Sequence, residues 1–135
     1  MSVYKKIDLK ILGDKRGSLI AIEQGCNVPF EIKRVYYIFD TKKGVKRGFH
    51  AHINLKQLVV AVRGSCTFVM DDGLKREEVI LDSPDQGILI EGLIWREMKN
   101  FSSNCVLMVL ADEVYVEDDY IHDYQEFLKV ANGEL

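Results

Sequence analysis

Short apolar runs alternate with clusters of turn-forming residues along most of this chain. Residues 19–22, 32–39, 58–62, 66–70, 78–81, 87–90 and 105–110 are rich in β-branched and aromatic side chains. That composition suits a pleated, half-buried strand rather than a helix. Between the runs stand Gly13-Asp14, Lys43-Gly44, Arg63-Gly64-Ser65, Asp71-Asp72-Gly73, Ser83-Pro84-Asp85 and Ser102-Ser103-Asn104, the residues that turns require. Asp72-Gly73 between two strand runs predicts a hairpin. Short strands at this spacing predict an all-β closed barrel or sandwich. The pattern changes only near the C-terminus, where Tyr120, Ile121, Tyr124, Phe127 and Leu128 recur at three- and four-residue intervals. This spacing predicts a short helix over about 118–130, apolar on one face, acidic in its first turn, and serving to cover the barrel or a partner subunit.

The chain is 135 residues long with no internal repeat or shift in composition, so a single domain over 1–135 is expected. A net charge of -3 argues against nucleic-acid or anionic-membrane binding, which needs concentrated basic surface. No apolar stretch approaches the roughly 20 residues that span a bilayer, and the N-terminal residues lack an apolar signal core. A cytoplasmic location is expected. Cys26, Cys66 and Cys105 lack metal-type spacing, and the latter two sit in strand-like runs, where a buried thiol is the plain reading.

Chemistry enters with the histidines. Of the three, His50 and His52 are two residues apart. On a strand they share a face, with Phe49 and Ala51 alternating against them. Two imidazoles converging inside a small barrel suit either metal ligation or acid–base catalysis near neutral pH.

The surrounding spacing narrows the choice. Gly44, five residues, His50-Ala51-His52, four residues, Gln57, six residues and Gly64 resembles the first motif of the cupin superfamily, in which a glutamate stands at the place of Gln57. The resemblance implies a cupin, a jelly-roll β-barrel. Counting from Gly87 to the second cupin motif puts Met98 where a third histidine ligand would stand. A neutral amide and a thioether are poor replacements for a carboxylate and an imidazole around Zn or Fe. The metal site is therefore expected to be dismantled, with no cofactor and with the histidines left to move protons. His122, placed on the expected helix, is not expected to restore it.

Within cupins, the segments 14–19, 32–40, Arg47-Gly48-Phe49-His50-Ala51-His52, Gly64-Ser65-Cys66, 81–84 and Trp95-Arg96-Glu97-Met98 resemble the nucleotide-sugar 3,4-ketoisomerases of bacterial deoxysugar biosynthesis. That family acts on dTDP-4-keto-6-deoxyglucose. The resemblance implies an isomerase that shifts the ketone from C4 to C3 through an enediolate. His50 is then the base at C3, and His52 a relay or oxygen holder. Tyr36 is a proton donor, while Tyr37 points the opposite way. Arg34 and Arg47 suit the diphosphate, since guanidinium forks match phosphate oxygens. Arg16 and Gly17 are placed near the sugar, with a galacto product preferred. Gln57, Trp95 and Met98 complete the expected substrate contacts. One departure stands out: Arg96 replaces the family's usual histidine, and alternation alone does not say whether it faces inward. The resemblance also implies a homodimer, often with N-terminal strands exchanged. The competing readings are a sugar 3,5-epimerase of the same fold, a non-catalytic sugar-binding cupin, and a metal-dependent dioxygenase cupin, which Gln57 and Met98 disfavour.

Overall fold

The computed structural model describes residues 2–133. Its strands are β1 (Lys5–Asp8), β2 (Leu12–Asp14), β3 (Gly17–Leu19), β4 (Arg34–Ile38), β5 (Arg47–His52), β6 (Gln57–Arg63), β7 (Cys66–Asp71), β8 (Arg76–Leu81), β9 (Gln86–Ile90), β10 (Trp95–Lys99), β11 (Val106–Ala111) and β12 (Tyr120–Ile121), followed by the helix α1 (Tyr124–Ala131). Two five-stranded sheets form, in the orders β1-β9-β6-β11-β4 and β12-β5-β10-β7-β8, and β2 and β3 make a separate hairpin. Every strand pair is antiparallel. The two sheets face each other as a jelly roll, the all-β barrel or sandwich class that the pattern predicts and the cupin architecture that the motif resemblance implies.

Three apolar layers hold it together. Val59, Ala61, Phe68, Met70, Ile88, Ile90, Leu107 and Val109 fill the space between the sheets. On the outer side of the first sheet, Leu58, Val60, Leu89 and Leu110 pack against Leu9, Val28 and Phe30 from the N-terminal segment. This explains why β6 is apolar at consecutive positions instead of alternating: both its faces are covered. On the outer side of the second sheet, Ala51, Trp95 and Ile121 pack against Phe127 of α1. An isolated helix of this length is unstable in water, so α1 exists because it seats Phe127. That ring is completely buried, a burial that contributes about 1.5–3 kcal/mol.

The C-terminal expectation is corrected. The helix spans Tyr124–Ala131, not 118–130, because Asp123 caps it by accepting from the Glu126 N–H. Tyr120 and Ile121 instead add a short strand to β5, opposite His52 and Ala51. Their apolar character belongs to two faces of a strand: Tyr120 shares the interior face of His52, and Ile121 joins the layer under α1. Cys66 and Cys105 are buried as expected. The Asp72-Gly73 turn joins β7 to β8, whose register runs from Asp71↔Arg76 to Cys66↔Leu81.

Candidate active site

One end of the space between the sheets is polar. Burial alternates along β4, so Arg34, Tyr36 and Ile38 turn inward while Val35 and Tyr37 turn out. On β5, His50 and His52 face inward with ring centroids 4.9 Å apart. A cavity of about 300 Å³ is lined by Arg34, Tyr36, Arg47, His50, Met98 and Tyr120 among others. That is the lower end of ligand-pocket size, room for one sugar ring rather than a whole nucleotide sugar.

A bulge sets the contents of this cavity. Arg96 pairs with His50, but the next residue, Glu97, pairs with Gly48, leaving Phe49 as an extra residue. Gly48 and Phe49 both have positive φ, 88° and 61°. Such bulges re-aim side chains. Without it, Arg47 would face away from His50; with it, Arg47 pairs with the inward-facing Met98 and lines the cavity beside His50. Gly48 is needed here twice over, for its φ and because a Cβ would lie 2.9 Å from the Arg96 carbonyl oxygen.

Arg96 faces inward and is 2% exposed. Its Nε and Nη2 donate to the Ile94 carbonyl at 3.3 and 2.9 Å, and its Nη1 donates to Gln57 Oε1. An arginine only donates, so the Gln57 amide is oriented with oxygen toward Arg96 and nitrogen toward Tyr36. Gln57 Nε2 accordingly donates to the Tyr36 hydroxyl at 3.2 Å, leaving the phenolic proton to be donated elsewhere. Burial raises the pKa of Tyr36, so it stays a donor. Burial also lowers the pKa of Arg96, to about 10, which leaves it charged at neutral pH.

That buried charge bears on the histidines. Burial first, then Arg96, pushes His50 down to about 4. The same two causes push His52 down to about 2. Both are neutral at pH 7. The contact between His52 Nδ1 and Asp119 Oδ2, 3.2 Å long, is therefore a hydrogen bond from a neutral imidazole and not an ion pair. Met98 lines the cavity, and Gln57 has both ends of its amide engaged. A thioether and an amide already engaged are poor ligands for a divalent cation, and the buried Arg96 charge bound to Gln57 adds repulsion. Among the described residues, no group of three His, Cys, Asp or Glu side chains is placed to hold a metal.

Trp95, Arg16 and Gly17 are not brought to the cavity of a single chain. Trp95 faces the outer side of its sheet, against Tyr124 and Phe127, with its indole N–H donating to Glu97; it does not reach the cavity. Arg16 is 90% exposed and paired with Asp14 on the β2–β3 hairpin, and neither it nor Gly17 lines the histidine cavity. Sequence reasoning also missed contributors. Tyr120 lies 4.3 Å from the His52 ring and 5.1 Å from the His50 ring. His122 stacks on Tyr120 and lies 6.2 Å from His50. Tyr115 joins the lining under the Arg34 guanidinium. All three were hidden because 115–122 carries no alternating signal long enough to show a strand.

Two facing antiparallel sheets, with a histidine pair and Arg34, Arg47 and Arg96 gathered at one end of the space between them, define a cupin. The model of the FdtA family (WxcM-like, C-terminal) matches residues 2–132. A TDP-4-oxo-6-deoxy-alpha-D-glucose-3,4-oxoisomerase from Aneurinibacillus thermoaerophilus is 53% identical over 125 residues, 93% of this chain and 90% of that protein. A 3,4-ketoisomerase from Helicobacter canadensis superposes with a TM-score of 0.93 at 47% identity, covering 96% of this chain and 97% of the other. A histidine-to-asparagine variant of the 3,4-ketoisomerase QdtA from Thermoanaerobacterium thermosaccharolyticum, solved with TDP-4-keto-6-deoxyglucose, gives 0.95 at 36% identity, covering 100% and 98%. The chain belongs to the FdtA family and is an isomerase of the sugar 3,4-ketoisomerase class.

Proposed function

We propose that the chain converts dTDP-4-keto-6-deoxyglucose to a dTDP-3-keto-6-deoxyhexose by histidine acid–base chemistry through an enediolate. The observation that carries this reading is a neutral imidazole, His50, on the wall of a cavity lined by Arg34 and Arg47 and backed by the buried Arg96. The C4 carbonyl acidifies the proton on C3. His50 takes that proton; the electrons form the C3–C4 double bond, and the oxygen on C4 becomes an oxyanion. Preorganised cations and the Tyr36 proton stabilise that charge. The oxygen on C4 gains a proton and the oxygen on C3 loses one, with Tyr36 and His52 as the groups that move them. His50 then returns a proton to C4. Arg34 and Arg47 also suit the diphosphate outside the cavity.

Incubation with dTDP-4-keto-6-deoxyglucose in deuterium oxide, followed by NMR, tests this. The expected product has its ketone at C3 and deuterium at C4. A ketone left at C4 with an inverted neighbour identifies an epimerase, and unchanged substrate, with its ketone at C4 and no deuterium at any carbon, identifies a binding module. The same spectrum reads the configuration at C4. The galacto outcome expected from Arg16 gains no support from its position on the exposed hairpin.

A homodimer is proposed with this activity. The edge strand β4 turns Val35 and Tyr37 outward, followed by Phe39, and the β2–β3 hairpin exposes Leu12 and Leu19. Exchange of N-terminal strands would use the β1–β9 pairing at the opposite edge of the same sheet.

A further inference from the structure

The mechanism leaves two buried atoms without a partner among the described residues. His52 is 1% exposed, and its Nε2 has no hydrogen-bond partner among the described residues. An unsatisfied buried acceptor costs about 1–3 kcal/mol, so a group missing from the free chain is its natural partner. A second orphan lies in the same neighbourhood: the Arg34 Nε–H is also buried without a partner, and the Arg34 charge acts on His52. One orphan accepts and the other donates. A hydroxyl, which both donates and accepts, has the chemistry to serve the His52 acceptor.

Which nitrogen of His52 accepts is set by what the other one does. Nδ1 faces Asp119 Oδ2 at 3.2 Å, and a carboxylate accepts, so Nδ1 carries the proton. Asp119 is itself held in place. Its Oδ1 accepts from the Asn54 N–H at 2.7 Å, its carbonyl accepts from the Ile53 N–H at 3.0 Å, and the next residue, Tyr120, pairs with His52. The carboxylate is thereby clamped to the end of the strand that carries both histidines.

We infer, on the ketoisomerase reading above, that Asp119 is a positioning residue that locks His52 as its Nδ1–H tautomer, so that Nε2 is a fixed acceptor for a hydroxyl at the cavity floor. A sugar hydroxyl or an ordered water has this chemistry. With a sugar hydroxyl, the lock lets His52 take the O–H proton that must leave one sugar oxygen as the ketone moves.

Nitrogen-15 NMR of histidine-labelled protein tests the lock directly, with His52 assigned by comparison with His52→Asn. The expected wild-type spectrum at pH 7 shows a protonated Nδ1 and a bare Nε2. In Asp119→Asn, the side-chain oxygen still serves the Asn54 N–H, so the amide NH2 meets Nδ1 and donates to it. The tautomer is expected to switch to Nε2–H, and kcat to fall about 100-fold or more while KM changes less than threefold. Addition of dTDP-6-deoxyglucose, an unreactive hydroxyl analogue, separates the two sources. A shift of Nε2 on binding identifies a sugar hydroxyl, whereas a hydrogen-bonded Nε2 in the free protein, unchanged on binding, identifies water. Wild-type His52 in the Nε2–H or doubly protonated form overturns the assignment, and this measurement needs no variant to fold. So does Asp119→Asn with wild-type kcat. If the wild type forms no 3-keto product, the ketoisomerase reading fails instead, and the tautomer remains measurable on its own.

Discussion

His50 and His52 were legible in the sequence because the alternation of a strand is strict, and two imidazoles two residues apart must share a face. What periodicity withheld was their electrical setting. Arg96 stands on a strand whose two faces both read as plausible interiors, and only the packing of Trp95 against α1 shows that Arg96 is the inward residue. Burial, together with the Arg96 charge, lowers the pKa of His50. In the proposed role of base His50 works only when neutral, and its pKa is pushed down to about 4 from the ordinary value. A lowered pKa keeps it neutral to lower pH, so kcat/KM is expected to stay level as pH falls through 6.5 and to decline only toward pH 4–5; kcat/KM is the quantity that reports the free enzyme's groups. A half-maximal fall near pH 6.5 would show that His50 is not held in this environment. Replacing His50 with Asn is expected to lower kcat by about 10²–10⁴-fold, with the circular dichroism spectrum and unfolding midpoint unchanged. Wild-type turnover in that variant would remove His50 from the role of base. Gln57 and Met98 give the matching expectation for metals. Protein purified without chelators should turn over equally well in EDTA, and activity lost to EDTA and restored by Zn, Ni or Fe would refute the metal-free account.

Elements explain what residue-by-residue reading misplaced. The segment 118–130 has helical spacing, yet Tyr120 and Ile121 are drawn into pairing with β5 because the edge of that strand offers unpaired backbone groups and Asp123 supplies a cap only three residues later. The resulting two-residue strand carries Tyr120 into the site. The bulge in β5 matters as much, since a pattern of alternation assumes no extra residue, and Arg47 was assigned to the site only by family likeness. The backbone supplies the reason: Phe49 is the extra residue, and Gly48 makes room for it at φ 88°. A Cβ at position 48 meets strained dihedral angles and the Arg96 carbonyl at 2.9 Å together. Gly48→Ala is expected to cost on the order of 1–3 kcal/mol in urea unfolding and to raise KM, because straightening the bulge turns Arg47 out of the cavity. An alanine variant with wild-type stability and KM would show that the bulge does not position Arg47.

At the scale of the whole molecule, the two sheets are covered unequally. The second sheet has α1 over Trp95 and Ala51, and the first has the N-terminal segment over β6 and β9. Among the described residues the outer face of β4 has no such cover, and Tyr37 there is 62% exposed beside Val35 and Phe39. Sequence alternation separated Tyr36 from Tyr37 correctly but left open whether the outward tyrosine met core or a partner, because a strand buried on both faces and an edge strand at an interface have the same composition. An apolar face on an edge strand with unpaired backbone groups invites association, and a second copy of the chain is the occupant expected from the family. Sedimentation equilibrium should therefore give about twice the 15.5 kDa chain mass. Tyr37→Asp, which places a charge on the face to be covered while leaving the inward Tyr36 alone, should raise the dimer dissociation constant at least about tenfold, a loss of about 1.4 kcal/mol. A wild-type monomer at micromolar concentration, or a Tyr37→Asp dimer as tight as the wild type, would move the interface away from β4. The N-terminal strand edge would then be the surface through which two chains meet.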